Sequence, residues 1–284
     1  MSASQQNTGG PLVTVLMSVY NGERFLRESV ESILRQSFGD FEFLIMEDGS
    51  TDSTAVILAE YAAKDRRIRV VKNEENIGLT RSLNHGLALA RGKYVARQDA
   101  DDLSLPERLA RQVEFMEAHP DTVLLGTGME VINEGGKTLG RRIPPADQRS
   151  LAAELLIKNN AFGHTSVMFR LAAVNELGGY DESFAFAQDY DLWWRMSRKW
   201  KVAVLPEALV RWRASGSNIS GTWRAEQLDC MYRISVKAVA EVIGRESLDE
   251  EAYGRFWRAF HGKVEELRPG DIERLNPLWD YLAA

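Results

Sequence analysis

A chain of 284 residues, 44% hydrophobic and 27% charged, has enough apolar material for a substantial folded core, and no low-complexity segment breaks it. Its net charge of −6 supplies no broad positive field, so neither nucleic acid nor an anionic membrane surface is expected as a partner. A single cysteine, Cys230, excludes an internal disulfide and a cysteine-rich zinc site, and favours a reducing, cytoplasmic setting.

Met1 to Gly10 is polar and reads as a flexible N-terminus without the pattern of a signal peptide, and no later apolar run reaches membrane-spanning length. No integral membrane segment is expected. Leu12 to Val19 is a β-branched, mostly apolar run that stops at Tyr20-Asn21-Gly22, after which Phe25, Leu26, Val30, Ile33 and Leu34 recur at helical spacing. Phe41 to Met46 repeats the strand and ends in Glu47-Asp48-Gly49-Ser50, where Asp52 or Ser53 is placed to cap a helix running to about Lys64. Arg69 to Val71 predicts a short strand, Leu79 to Ala90 a helix, and Lys93 to Arg97 a strand entering the acidic loop Asp99-Ala100-Asp101-Asp102. This alternation predicts a mainly parallel sheet covered by helices on both faces, with ligands bound beyond the carboxyl ends of its strands. Tyr20-Asn21, Asp48-Gly49 and Asp99 to Asp102 should therefore share one rim.

Beyond Pro106 the spacing predicts a helix through His119, a strand over Thr122 to Ile132, and a hairpin turn at Glu134-Gly135-Gly136. Asp147 to Lys158 reads as helical, Thr165 to Arg170 as a strand and Tyr190 to Lys199 as a helix. From about Gly221 only helical patterns follow. The expected organisation is a flexible segment 1–10, a catalytic body 11–220 with halves meeting near residue 105, and a helical C-terminal segment 221–284.

Three carboxylates in Asp99 to Asp102 need a cation, hydrogen-bond donors or solvent to relieve their repulsion. Mg²⁺ or Mn²⁺ would suit, because such ions take one or two carboxylates and complete their shell with water and phosphate oxygens. The other reading is a solvated loop in which Asp102 helps to start the next helix. Asp48 to Asp52 is equally open: a turn and helix cap, or a carboxylate held at a strand end for a base or ribose. Tyr20 could stack on a base or cover the rim of the core. Asp189 stands where an acidic helix N-terminus is ordinary, yet a carboxylate on a pocket wall can also take a proton from a hydroxyl. Trp193 and Trp194 read as core, and His85, His119, His164 and His261 have no ligand spacing. Phosphate-loop, dinucleotide and nucleophile-elbow signatures do not occur.

In this order, Ser18-Val19-Tyr20-Asn21, Glu47-Asp48-Gly49-Ser50-Thr51-Asp52, Asn76-Ile77-Gly78-Leu79, Asp99-Ala100-Asp101-Asp102 and Gln188-Asp189-Tyr190-Asp191-Leu192-Trp193 resemble the family 2 glycosyltransferases of GT-A fold. The resemblance runs from about Pro11 to Ser220. It implies a GT-A, Rossmann-like α/β body with a helical C-terminal appendage. It also implies inverting transfer of a sugar from a nucleotide-sugar, commonly a UDP-sugar, to an acceptor hydroxyl on a saccharide or lipid-linked saccharide, with Mn²⁺ or Mg²⁺ on the diphosphate. Matched to the family's positions, Ser18, Tyr20, Asp48 and Arg81 would bind the nucleotide, with Asn21 and Glu23 beside that wall and Asp99 near the ribose. Asp101 matches the metal ligand, with Asp102 as a second candidate, and Asp189 matches the general base. Location at the inner face of the membrane, as a peripheral protein, fits the same resemblance.

Two departures stand out. Gln188 replaces the family's usual Glu, which removes a like charge that would raise the Asp189 pKa. Ser215 stands where many relatives have His, so the metal would lean more on Asp101, diphosphate and water, with Arg211 or Arg213 as candidate phosphate partners. The alternative for Val210 to Ser220 is a loop without mechanistic role. Among other functions, a sugar-phosphate nucleotidylyltransferase would need a Gly-rich triphosphate loop that Pro11 to Gly22 lacks, and a catalytically inactive nucleotide-sugar-binding protein would have little use for both the acidic loop and Asp189.

Overall fold

Successive strand side chains point to opposite faces, and in this chain both faces of the sheet are covered. A computed structural model describes residues 10–158, 160–215 and 224–283. Its first strand, β1 (Val13–Val19), is buried throughout. Val13, Val15, Met17 and Val19 pack with α1 (Leu26–Leu34), α2 (Thr54–Ala62) and α4 (Arg108–Ala118), whereas Leu16 joins a second core with α3 (Leu79–Leu89). That two-sided burial is why the strand is mostly apolar instead of alternating, with Thr14 and Ser18 its two polar residues.

β2 (Phe41–Glu47), β3 (Ile68–Lys72) and β4 (Tyr94–Arg97) extend β1 in parallel, giving the order β3-β2-β1-β4. The parallel sheet predicted from strand-helix alternation occupies this half. Beyond β4 the sheet is mixed, in the order β8-β6-β9-β5, with β7 paired to β6 off the main path. Here β6 (Thr122–Asn133) runs antiparallel to β8 (Met168–Arg170) and β7 (Thr138–Arg142), but parallel to β9 (Lys201–Ala214). β5 (Leu103–Ser104) pairs antiparallel with β9. The helix expected over Asp147 to Lys158 is split into α5 (Gln148–Ala153) and a π-helical turn, Glu154–Lys158. The strand expected from Thr165 begins later, because His164–Ser166 forms a 3₁₀ turn.

Three elements were not read from the sequence: β5, α6 (Leu171–Glu176) and β9. β9 contains Pro206 and alternates charged with apolar residues; its identity comes from pairing with β6, about 80 residues earlier in the chain. Val210 to Ala214 is therefore strand and not loop, while Gly216 to Ser220 lies outside the described residues.

The C-terminal helices are α8 (Arg224–Ile243), α9 (Glu250–Phe260), α10 (Asp271–Arg274) and α11 (Asn276–Ala283). They share one core with α7 (Gln188–Lys199): Ile234, Tyr253 and Leu278 cluster with Tyr190 and Trp193, and Cys230 is packing in the same core. The Ser235 hydroxyl donates to the Leu156 carbonyl at 3.0 Å, and Trp194 Nε1 donates to Glu241 at 2.9 Å. No helix among the described residues is long and apolar enough to cross a membrane.

Candidate active site

The turns after β1 and β2 are laced together by their own polar groups. Asn21, with φ of 49°, accepts from the Thr51 amide at 2.8 Å and donates its own amide to Ser50 Oγ at 3.1 Å. Glu23 accepts from the Ser53 amide at 2.9 Å, and its own amide donates to Asp52 at 3.1 Å. The N-cap position of α2 is Ser53, whose side chain makes no cap hydrogen bond, and Asp52 just before it accepts from the Thr54 amide at 2.9 Å. Gly49 makes the second turn possible: its φ is +73°, and a Cβ there would lie 2.6 Å from the Glu75 backbone.

Asp48 is only 2% exposed. It accepts from Asn73 Nδ2 at 2.7 Å and from the amides of Ile77 and Gly78 at 3.2 and 3.1 Å. Asn73 also donates to Ser82 Oγ at 3.2 Å, and Ser18 donates to that same oxygen at 3.0 Å. Ser18, Ser82, Asn73 and Asp48 thus form one buried chain beneath the rim. Tyr20 is 47% exposed above it, and Arg81 on α3 lies 3.5 Å from Glu182 with its side chain mostly in solvent.

The acidic loop is held from below by arginines. Arg97, fully buried at the end of β4, donates to Asp99 Oδ1 at 2.6 Å and to the Leu16 carbonyl at 3.2 Å. Ser29 donates to the Asp99 carbonyl at 2.7 Å, and Gln98 donates to the Asp102 carbonyl at 2.8 Å. Arg213 on β9, 1% exposed, donates to the carbonyls of Asp101 and Glu134 at 2.8 and 2.7 Å and to Glu28 at 2.8 Å, while lying over the Phe25 ring. It is a structural brace, so the expectation that it could offer charge to a phosphate is corrected. Arg211 pairs with Glu130 at 3.1 Å.

The three carboxylates differ. Asp102 is buried and accepts from the Arg213 amide at 2.7 Å, with its Oδ2 buried and lacking a partner. Burial and the charges of Asp101 and Asp99 push its carboxyl well up. Burial and then Asp99 push the Asp101 carboxyl up to about 6. Buried Arg97, Arg108 and Arg213 act on the loop from below, and the orphaned Asp102 Oδ2 together with Asp101 makes a donor set that suits a dication. No group of three or more His, Cys, Asp or Glu with metal-binding placement occurs among the described residues, so the chain would contribute one or two carboxylates.

Asp189 opens α7 after Ala187, whose left-handed φ of 58° turns the chain into the helix. Burial pushes its carboxyl up to about 6, opposed by hydrogen bonding that includes Asn160, with the charge of Asp99 adding to the rise. The neutral Gln188 removes one repulsive neighbour, yet desolvation outweighs that change. Asp189 and Asp99, 90 residues apart in sequence, are close enough for the charge of Asp99 to raise the proton affinity of Asp189, so the fold brings the start of α7 towards the acidic loop. The 3₁₀ turn lies between them. Thr165 Oγ1 accepts from the Asp99 amide at 3.3 Å, and His164 Nε2 meets the Tyr180 hydroxyl at 2.9 Å. Burial, then the charge of Arg97, keep His164 neutral, so it is a hydrogen-bonding group here. Trp193 packs edge-on against His164 and Tyr180, as core.

Sequence reasoning passed over Arg97, Asn73, Ser82, Asn160 and His164. The one available signal was position: Arg97 directly precedes the acidic loop, and His164-Thr165 directly precedes a strand.

Comparison with known proteins shows the family and the fold. Residues 14–178 match the model of the glycosyl transferase family 2. The chain is 41% identical over 208 residues to the putative glycosyltransferase EpsE of Bacillus subtilis, covering 72% of this chain and 73% of that one. Residues 1–349 of TarS from S. aureus, crystallised with UDP-GlcNAc, superimpose with a TM-score of 0.69 at 19% identity, covering 95% of this chain and 80% of that one. The mannosyltransferase PcManGT of Pyrobaculum calidifontis, with GDP-Man and Mn²⁺, gives 0.63 at 17% identity, covering 98% and 82%. The nucleotidylyltransferase and inactive-binder alternatives fall with these matches. The chain belongs to the family 2 glycosyltransferases and is a glycosyltransferase of GT-A fold.

Proposed function

We propose that this enzyme transfers a glycosyl group with inversion from a nucleoside-diphosphate sugar, with UDP as the nucleotide, to a hydroxyl of a saccharide or lipid-linked saccharide. The observation that carries the reading is Asp189: a carboxylate at a helix start, facing the acidic loop, with proton affinity raised to about 6. A base of that strength is ionised at neutral pH and still takes up a proton readily. Asp189 accepts the hydroxyl proton of the acceptor as its oxygen bonds to the anomeric carbon. The bond from that carbon to the diphosphate breaks, and its electron pair leaves with the nucleoside diphosphate.

Ser18, Tyr20, Asn21, Glu23, Asp48 and Arg81 form the nucleotide wall, and Asp99 stands at the ribose. Because Asp48 and Asn21 are already braced by backbone amides, the wall needs little reorganisation on binding. Asp101, with Asp102 behind it, would hold Mn²⁺ or Mg²⁺, and such an ion when bound neutralises charge on the leaving diphosphate. UDP is the choice supported by the TarS likeness, GDP the one supported by PcManGT.

The decisive experiment is Asp189→Asn. Turnover should fall about 10²- to 10⁴-fold while donor affinity stays within about threefold, because a base is lost and a nucleotide contact is not. Equal loss of donor binding and turnover would remove Asp189 from the base role. The anomeric configuration of the product, read by NMR, tests inversion. Thermal shift with UDP- and GDP-sugars, with and without Mn²⁺, tests nucleotide and metal, since a ligand bound only by the native state raises apparent stability.

A further inference from the structure

We propose that Asn160 is the positioning residue of Asp189: its amide holds one carboxylate oxygen and leaves the other to receive the acceptor proton. The proposal rests on the base role of Asp189 given above. Asn160 Nδ2 donates to Asp189 Oδ2 across 29 residues of sequence. The orientation of the amide is dictated by its surroundings, since Asn160 Oδ1 accepts from the Phe162 amide at 3.2 Å and the NH₂ group must then face the carboxylate.

Asn160 is itself fixed from two sides. Its carbonyl accepts from Arg142 at 2.6 Å, at the end of the edge strand β7. Phe162, two residues on, is buried directly against the backbone of Gly126, where an added Cβ would lie 2.4 Å from the ring. A donor held this firmly costs little reorganisation when the acceptor binds, which is what a base at the start of a helix needs.

The charges around Asp189 explain why a neutral donor matters there. Asp99 raises its proton affinity from the acidic loop, while burial, with both carboxylates adding, keeps Tyr180, from the segment after α6, protonated. Behind Tyr180 stand neutral His164 and the cation Arg97, and Arg97 is already paired with Asp99. On α7, Asp191 is balanced by Arg195 at 2.7 Å and by Lys237 of α8 at 3.6 Å. Among the described residues no cation forms an ion pair with Asp189, and Asn160 is the side chain that donates to it.

The test is the pH profile of kcat/KM for acceptor in wild type, Asn160→Ala, Asn160→Ser and Asn160→Asp, beside Asp189→Asn. A hydrogen bond to a carboxylate favours its ionised form, so removing it raises the pKa and moves the acid limb to higher pH. We expect the limb of Asn160→Ala to rise by about one pH unit, with a loss of about twofold near neutrality that approaches tenfold below about pH 6 and disappears at alkaline pH. Asn160→Ser should recover part of the shift, and Asn160→Asp, which adds a like charge, should shift it further. Donor affinity, measured by calorimetry with the UDP-sugar and Mn²⁺, should remain within about threefold in all of them. A merely structural role would lower rate and donor binding together at every pH and leave the limb in place, which overturns the proposal. Superimposable profiles in variants that bind donor normally would also overturn it. If Asp189→Asn remains active, the base reading fails first, independently of any Asn160 result.

Discussion

The N-terminal half, proposed to hold the nucleotide, and the half that carries Asp189 are built by different means. In the first, each strand is followed by its own helix, and the site comes from strand ends that neighbour one another in sheet order. Its polar residues are already saturated by protein partners: Asp48 by Asn73, Ile77 and Gly78, and Asn21 by Ser50 and Thr51. In the second, β6 pairs with β9 across about 80 residues, and Asp189 meets Asp99 and Asn160 from distant stretches of chain. The proposed nucleotide wall is a local construction held by its own hydrogen bonds. The surroundings of Asp189 are a product of long-range assembly, and in the acidic loop burial and neighbouring carboxylates raise the proton affinity of Asp101 and Asp102, which a bound dication would relieve.

If the second half depends on long-range braces, Arg213→Ala should be the most damaging substitution outside the chemistry. Two carbonyls, of Asp101 and Glu134, lose their donors at about 1–2 kcal/mol each, so the variant should be destabilised by roughly 2–4 kcal/mol. Urea denaturation measures it, and a change below about 0.5 kcal/mol would mean the acidic loop is held without β9. Asp48→Ala probes the local half in the same way. The Ile77 amide is left without its acceptor and the Gly78 amide keeps only Asn76 Oδ1, at a cost of about 1–3 kcal/mol even without donor, and donor affinity should fall as well. Weaker donor binding with unchanged stability would show that Asp48 serves the ligand alone.

A milder effect is expected at the C-terminal helices. Hydrogen bonding from Arg255 holds the Asp271 carboxyl far below its ordinary range, through contacts of 2.9 and 2.6 Å. A depressed carboxyl stabilises the fold above its unfolded pKa and loses that contribution as pH falls through the folded one. Proteolytic sensitivity of residues 250–274 should therefore rise as pH drops below about 4 and not change between pH 6 and 8; loosening at neutral pH would contradict it. The smallest effect is Ser215→His. An imidazole beside the metal should tighten Mn²⁺ about two- to tenfold in titrations of activity at saturating donor. Superimposable curves would place residue 215 away from the metal.

The same contrast divides what could be read in advance. Tyr20, Asn21, Asp48 and Asp99 to Asp102 sit at the ends of continuously apolar strands, so their convergence on one rim follows from local pattern and parallel-sheet geometry. Asp189 stood in an ordered motif, but its partner Asn160 carried no such mark, because one Asn in a polar stretch is unremarkable until a fold sets it against a carboxylate. β9 was missed for a related reason: Pro206 and interspersed charges obscure a strand whose burial is decided by neighbours far away in sequence.

By itself the sequence determined the strand-helix alternation and the family, and it marked the candidate rim and the candidate base, because apolar periodicity and short motifs are local properties of the chain. Only the tertiary structure decided which charges are braces and which are free to act. Arg213 looked like a phosphate partner until β9 buried it under the acidic loop, and the proton affinity of Asp189 was set by burial against groups 29 and 90 residues away. Desolvation and charge repulsion depend on distance in space, and no spacing along the chain encodes them.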